Sequence, residues 1–499
     1  MRKGHPSTRP LLLLTTLGAL LALALIAALA PRSASEAQAA PPDRVRDCAP
    51  PKDAMTFAPQ TYVDTERAGG EPTVEMHPDG TLLYGSHAGT THFFAPAAAD
   101  EDTAAFAQHY RNQTYLYWSD DAGATWNYVD RLPPDNAPGS GFSDPDWAID
   151  AAGNVYESEI NLVNVAMSKS TDSGRSYTLQ NFFAQTITDR QWSEADLEDH
   201  VYLVGNAFAG GTFPTDPVGH VGHTLYKSVD GGQTFSAGEP DPGGLGDLQV
   251  DKSTGTLYEA NLSGGTLAMA AFRSARDGNF SEADRELNTI ATGVDMEITS
   301  HWPSLDVDPS GNVYITWSED GGGDREAGVY YSSSTDEGRT WAEPTLVDPG
   351  SDGTDIWPWL AVGDDGRVAV SWLEADVVLP NHDAQTPGDH GWRIIAAQTL
   401  DGTGCGKSST PGFSSTVATP DPVHPGTICT GGTICQAQGV DRRLGDYFSI
   451  EIDNDGRMWA GYSDTRQGGA VALPGFVRQD GGPSFLGKGG KPAGKGKRR

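Results

Sequence analysis

Basic residues are scarce in this chain of 499: Lys and Arg number 34 against 67 Asp and Glu, a formal charge of −33. A chain so acidic lacks the footprint that phosphate backbones require, which excludes DNA and RNA as main ligands. Its one basic stretch is the tail 487–499, GKGGKPAGKGKRR, a composition that reads as solvated and disordered chain or as a tether to an anionic cell surface. Long apolar runs are equally rare. Leu11–Ala30, behind Arg2, Lys3 and Arg9 and ahead of Ala37-Gln38-Ala39, reads as a secretory signal over residues 1–39. An uncleaved anchor is the alternative, and no stable membrane span is expected once the signal is removed. Cysteine is limited to Cys48, Cys405, Cys429 and Cys435, an even set suited to disulfides in an exported chain. Of the three pairings, Cys429–Cys435 as a loop staple and Cys48–Cys405 as a long-range tie are expected. The spacing fits no zinc pattern. No long amphipathic helix is visible. Neither G-x-S-x-G nor H-E-x-x-H occurs, which leaves serine-hydrolase and zincin chemistry without support.

What the chain has in abundance is turn residues, 61 Gly and 33 Pro, set between short alternating segments. Residues 301–341 show the unit most fully. Two period-two runs, SLDVD and NVYITW, flank Asp308-Pro309-Ser310-Gly311, which is a hairpin signal. A third strand then leads into STDEGRTW, Ser334–Trp341. In that octet Asp336 can accept backbone N–H groups, Gly338 can supply a positive φ, and Trp341 can cover the hairpin. The octet recurs as Ser119–Trp126, Ser170–Tyr177 and Ser228–Phe235, with Asp121, Asp172 and Asp230 in the place of Asp336, and in worn form as Ser274–Phe280. The pattern S-x-D-x-G-x-T-W resembles the Asp-box, or BNR repeat, of sialidases and related secreted β-propellers. The resemblance spans about Glu71 to Asp464 and implies a fold, the box being a structural turn away from any reaction centre.

The hairpin half of the unit recurs at Glu71–Ser86, Asp144–Ser158, Asp189–Gly205, Gly246–Ala260, Trp302–Ser318, Trp357–Trp372 and Arg443–Tyr462. Each has an aromatic or apolar start, an alternating strand, a polar turn and a second strand. The fold class is therefore all-β, a single propeller of four-stranded blades, with seven blades favoured over six. Met55–Val63, within a lead-in at 40–66, is placed as the outermost strand of the last blade. The propeller is assigned to 67–480 and the tail to 481–499.

In this arrangement, residues just before each innermost strand and just after each second strand converge on an axial mouth. Carboxylates there suit general acid–base work on a glycoside, and Asp146, Asp189 and Asp247 are the candidates. Arg190 and Arg443 could clamp an anionic group, Trp302 and Trp357 could stack on a sugar ring, and His301, Glu374 and Asp446 could bind hydroxyls. The resemblance implies a sialidase-like, carbohydrate-active hydrolase; the R-I-P motif that carries an arginine in sialidases does not occur, and Glu71-Pro72 stands where it would be. A non-catalytic propeller binding glycans or proteins is the reading from a different class. No resident cofactor or metal is assigned, calcium being left open by the acidic mouth. The expected partner is an extracellular glycan or glycoconjugate, and the expected state a monomer.

Overall fold

The computed structural model describes residues 46–87, 114–131, 143–160, 165–183, 188–207, 222–236, 238–240, 244–278, 282–296, 302–406, 409–432, 435, 438–467 and 469–487. The expected signal, His301 and the basic tail beyond residue 487 lie outside this set.

Seven antiparallel sheets form the blades of a β-propeller. Their innermost strands are Gly70–Met76, Ser143–Ile149, Thr188–Ala195, Gly244–Val250, Ser304–Val307, Asp355–Val362 and Ser449–Ile452, in blades 1 to 7. Each of these strands touches the next, and the seventh touches the first, which closes the ring. All seven hairpins read from the sequence are the inner two strands of a blade. Six blades is thereby set aside.

Two devices hold the ring. Blade 7 takes its outer edge from the other end of the chain: Thr56–Phe57 and Thr61–Tyr62 both pair antiparallel with Leu473–Gly481. Cys48–Cys405 ties the segment before those strands to blade 6, while Cys429–Cys435 closes a short loop. Between blades, large aromatics at matched positions of the second strands (Tyr156, Tyr202, Tyr258, Tyr314 and Trp459) are fully buried. Burying side chains of this size contributes roughly 1.5–3 kcal/mol each.

The assigned tail boundary needs correction. Residues 482–487 are not loose: Phe485 is fully buried, its N–H donates to the Gly456 carbonyl, and its own carbonyl accepts from Asp364.

The four octets fold alike. In the last, Ser334 Oγ donates to Asp336 and accepts from the Gly338 N–H, while Asp336 accepts from the N–H and hydroxyl of Thr340 at 2.8 and 2.6 Å. Asp121, Asp172 and Asp230 make the equivalent bonds to Thr125, Ser176 and Thr234. The glycine between them has φ of 84, 81, 79 and 77° in chain order, a region other residues enter at a cost. The worn copy keeps one turn bond, Gly278 N–H to the Ser274 carbonyl, and its last two residues lie outside the described set.

Inner hairpin turns are held the same way. Asp308 accepts from Ser310, Asn312 and Tyr314, and Asp453 from Asp455 and Arg457. The acids of these loops, set at calcium-like spacing, are satisfied by the turn backbone together with the side chains of Asn312, Tyr314 and Arg478.

Candidate functional site

Alternation along the innermost strands stacks their axis-facing residues in three layers. From the mouth, where these strands begin, the first layer holds Glu71, Asp144, Arg190, Trp302, Trp357 and Tyr447. The second holds Thr73, Asp146, Trp192, Asp247, Ser304, Trp359 and Ser449. Below it come Glu75, Glu194, Asp306 and Glu451, with Lys252 reaching in from the hairpin turn of blade 4. Second- and third-layer residues line a cavity of about 500 Å³ that runs to the face carrying the hairpin turns.

Aromatic rings fill the axis between mouth and cavity. Trp192 lies 5.7 Å from Trp302, 5.5 Å from Trp359 and 5.4 Å from Tyr447, centroid to centroid. Among the described residues, then, an axial cavity lies below the mouth, where a funnel open at the mouth was expected.

The second layer also joins the blades. An innermost strand is a sheet edge with unpaired N–H groups, and here the preceding blade supplies acceptors. Asp146 accepts from Ser193 N–H at 2.6 Å and from its hydroxyl, and Asp247 accepts from Leu305 N–H at 2.8 Å. Ser449 accepts from Val74, Ser304 from Leu360 and Asp306 from Val362. Burial pushes Asp146 and Asp306 up to about 7, against the pull of those backbone bonds; both keep partial access to the channel.

The mouth is where backbone strain collects. Glu71, Asp144, Arg190 and Trp357 have φ of 45, 52, 54 and 56°, and in each case pairing with the second strand slips at that point. Three of the four precede a proline. Strain persisting in a packed structure is a common mark of functional positions.

Two groups of acids stand at this strained rim. In the first, Glu71 and Asp144 are hydrogen-bonded to one another beside Asp446, Arg442 and the buried His87. Burial, then Asp144 and Asp446, pushes Glu71 well above the usual carboxyl range, and burial drives His87 well below the usual imidazole value. Arg442 is held by both oxygens of Asp446 and lies 3.7 Å from Glu71. In the second group, Asp355 and Glu374 face each other directly across the first two strands of blade 6. Burial, then the Glu374 charge, pushes Asp355 up to about 8; burial raises Glu374 as well. Ser351 donates to Glu374 at 2.8 Å and Trp372 Nε1 to Asp355 at 3.0 Å.

The second group differs from every comparable position. Carboxylates near the ends of second strands in other blades have basic partners: Glu159 has Arg131, Glu259 has the His223 ring, Glu319 has Arg325 and Asp464 has Arg466. Glu374 has an acid instead, and no ion pair among the described residues.

No family model and no curated protein matches this chain. Solved structures do resemble it in shape. YCF48 bound to a D1 peptide aligns over 87% of this chain and 99% of its own, with 12% identity and a TM-score of 0.45. A fungal alcohol oxidase of the AA5 family, in complex with copper, aligns over 85% and 76%, with 10% identity and a TM-score of 0.49. The NanB sialidase from Streptococcus pneumoniae aligns over 85% and 70%, with 12% identity and a TM-score of 0.38. At such identities these likenesses concern the fold alone.

The residues expected from sequence are dispersed. Asp146 and Asp247 sit one layer below the mouth, each bonded to the next blade, and the Asp189 side chain lies outside the described set. Arg443 is bound by Asp441 at 2.6 Å and by the Gly469 carbonyl at 2.6 Å, so it offers no open clamp. Arg190 lies 4.9 Å over the Trp302 ring. Trp302 and Trp357 are each only 4% exposed and present no open face for stacking. Asp446 is engaged by Arg442, and Glu374 alone of the set stands half-exposed in an acid pair. Sequence reasoning did not single out Asp355, whose significance depends on strand register. The recurring residue-proline step that opens four innermost strands, at Glu71, Asp144, Trp302 and Trp357, was a visible signal of the rim.

Proposed function

We propose that this is an extracellular, carbohydrate-active propeller in which Asp355 and Glu374 supply acid–base chemistry to a glycan bound at the mouth. The observation that carries the reading is the Asp355–Glu374 pair. A carboxyl pushed up to about 8 holds its proton at neutral pH, as a general acid toward a glycosidic oxygen must. Its partner is half-exposed and lacks a cation. The role expected of Asp146, Asp189 and Asp247 is thus assigned to blade 6. The four octets support a place among Asp-box, sialidase-like propellers, and two disulfides suit a secreted chain. With Arg442 and Arg443 already engaged, a neutral sugar fits this mouth better than a sialic acid.

The test is hydrolysis of a panel of chromogenic glycosides by the whole chain and by Asp355→Asn. Turnover that falls at least roughly 100-fold in a variant with native melting supports the assignment. Turnover unchanged by Asp355→Asn, or none on any sugar, sinks it. The second outcome favours a non-catalytic propeller binding glycans or proteins, a reading supported by the aromatic filling of the axis; a glycan array then follows.

A further inference from the structure

We propose that Glu71, His87 and Asp144 form a binding site for one divalent transition-metal ion, of the zinc or manganese class, at the mouth between blades 1 and 2. It goes beyond the acid–base reading and does not depend on it, since Asp355 and Glu374 belong to blade 6.

One carboxylate oxygen from each acid and one ring nitrogen of His87 all lie within 4.8 Å of one another. Ligand atoms sharing an ion at bonds of about 2.1 Å stand about 3.4 Å apart, so closure needs side-chain shifts of roughly 1 Å. The three come from separate places: the bulged start of the first strand of blade 1, the end of its second strand, and the bulged start of blade 2. The positive φ at Glu71 and Asp144 goes with the slip in pairing at both positions.

Charge around the site matches a doubly positive ion. Arg442 is engaged by both oxygens of Asp446 and lies 3.7 Å from Glu71, so one guanidinium stands against three carboxyl groups, those of Glu71, Asp144 and Asp446. A separate observation points to a ligand. The Gln191 amide, 1% exposed, donates through Nε2 to the backbone carbonyls of Asp144 and Ser158. Two acceptors at that end fix the amide orientation. Its Oε1 is left as a buried acceptor without a donor among the described residues. A water on the metal would donate to it.

The ligand set decides the class of ion. Calcium and magnesium take oxygen, whereas an imidazole beside two carboxylates selects zinc, manganese or ferrous iron. Three protein ligands leave an open position for water or a substrate oxygen.

The experiment is calorimetric titration of the whole chelator-stripped chain with zinc, manganese and calcium chlorides, beside His87→Ala and Glu71→Gln. Visible absorption of a cobalt(II)-loaded sample reports the imidazole ligand. One equivalent of zinc or manganese should bind, and each variant should bind roughly 100-fold or more weakly, beyond the loss typical of a supporting residue. The cobalt band should vanish in His87→Ala. Glu71→Gln, nearly isosteric, carries the test if His87→Ala melts early. The proposal is overturned if no stoichiometric zinc or manganese binds, if both variants bind like the parent chain, or if calcium binds more tightly.

Discussion

A glycine decides where Glu71 can be. Gly445 sits at φ +83°, and a Cβ there would stand 2.1 Å from Glu71 Cγ. Two penalties coincide in Gly445→Ala: a left-handed backbone costing about 1–2 kcal/mol and a clash with a buried side chain that has little room to yield. The expected result is a lower melting temperature together with weakened zinc binding, read in one melt and one titration. Were stability to fall while zinc binding stayed intact, Glu71 would not be the group that Gly445 positions. The same close approach explains why Arg442, three residues earlier, can run beside Glu71 and still be held by Asp446.

Among the elements, the octet turns make the clearest prediction. Asp336 accepts from Ser334, from Thr340 N–H and from Thr340 Oγ1; burial raises its carboxyl, but these bonds together hold it below the usual range. Asp336→Ala removes all three at a half-exposed site. A loss of about 1–2 kcal/mol in urea unfolding is expected, with Asp336→Asn losing less because one acceptor oxygen remains. Equal losses in the two variants would mean that charge, and not the bonds, is what matters. These turns were legible in sequence because each depends on residues within an eight-residue window. The seven hairpins were legible for the same reason: alternation and a polar turn are local. The candidate site was not. Asp355 meets Glu374 only through strand register, and Glu71 meets Asp144 only through the stacking of two blades. Asp146 and Asp247 misled because a one-residue bulge decides whether an acid faces the mouth or the layer beneath it. His87 ends a second strand, and nothing in its local sequence marks it as part of a site.

For the whole molecule, proton uptake sets the pH of greatest stability. Asp306 and Asp355 have folded values near 7 and 8, above the unfolded carboxylate value of about 4. Their contribution is fully present below about pH 4 and is lost as pH rises through 7 and 8. Asp121, Asp172, Asp230 and Asp336 are shifted down, chiefly by hydrogen bonds, and theirs is lost only as pH falls below about 4. Growing self-repulsion in a chain of formal charge −33 acts in the same direction as the raised acids. The melting temperature should therefore be highest near pH 5 and decline toward pH 8.5. In Asp355→Asn, which can still accept from Trp372, the decline between pH 7 and 8.5 should be shallower. A flat profile in the parent chain would count against the raised values.

The closure of blade 7 also sets a clock on biosynthesis. Thr56 and Asp480 are hydrogen-bonded across 424 residues of chain. At roughly 5–20 residues per second, the ribosome needs on the order of 20–80 s to make what lies between. During that interval the early strand has no partner and the last blade does not exist. The nascent chain passes this time as an unclosed array with a free sheet edge, open to chaperones and to pairing with its own copies. Only the final codons of the seventh blade end that exposure.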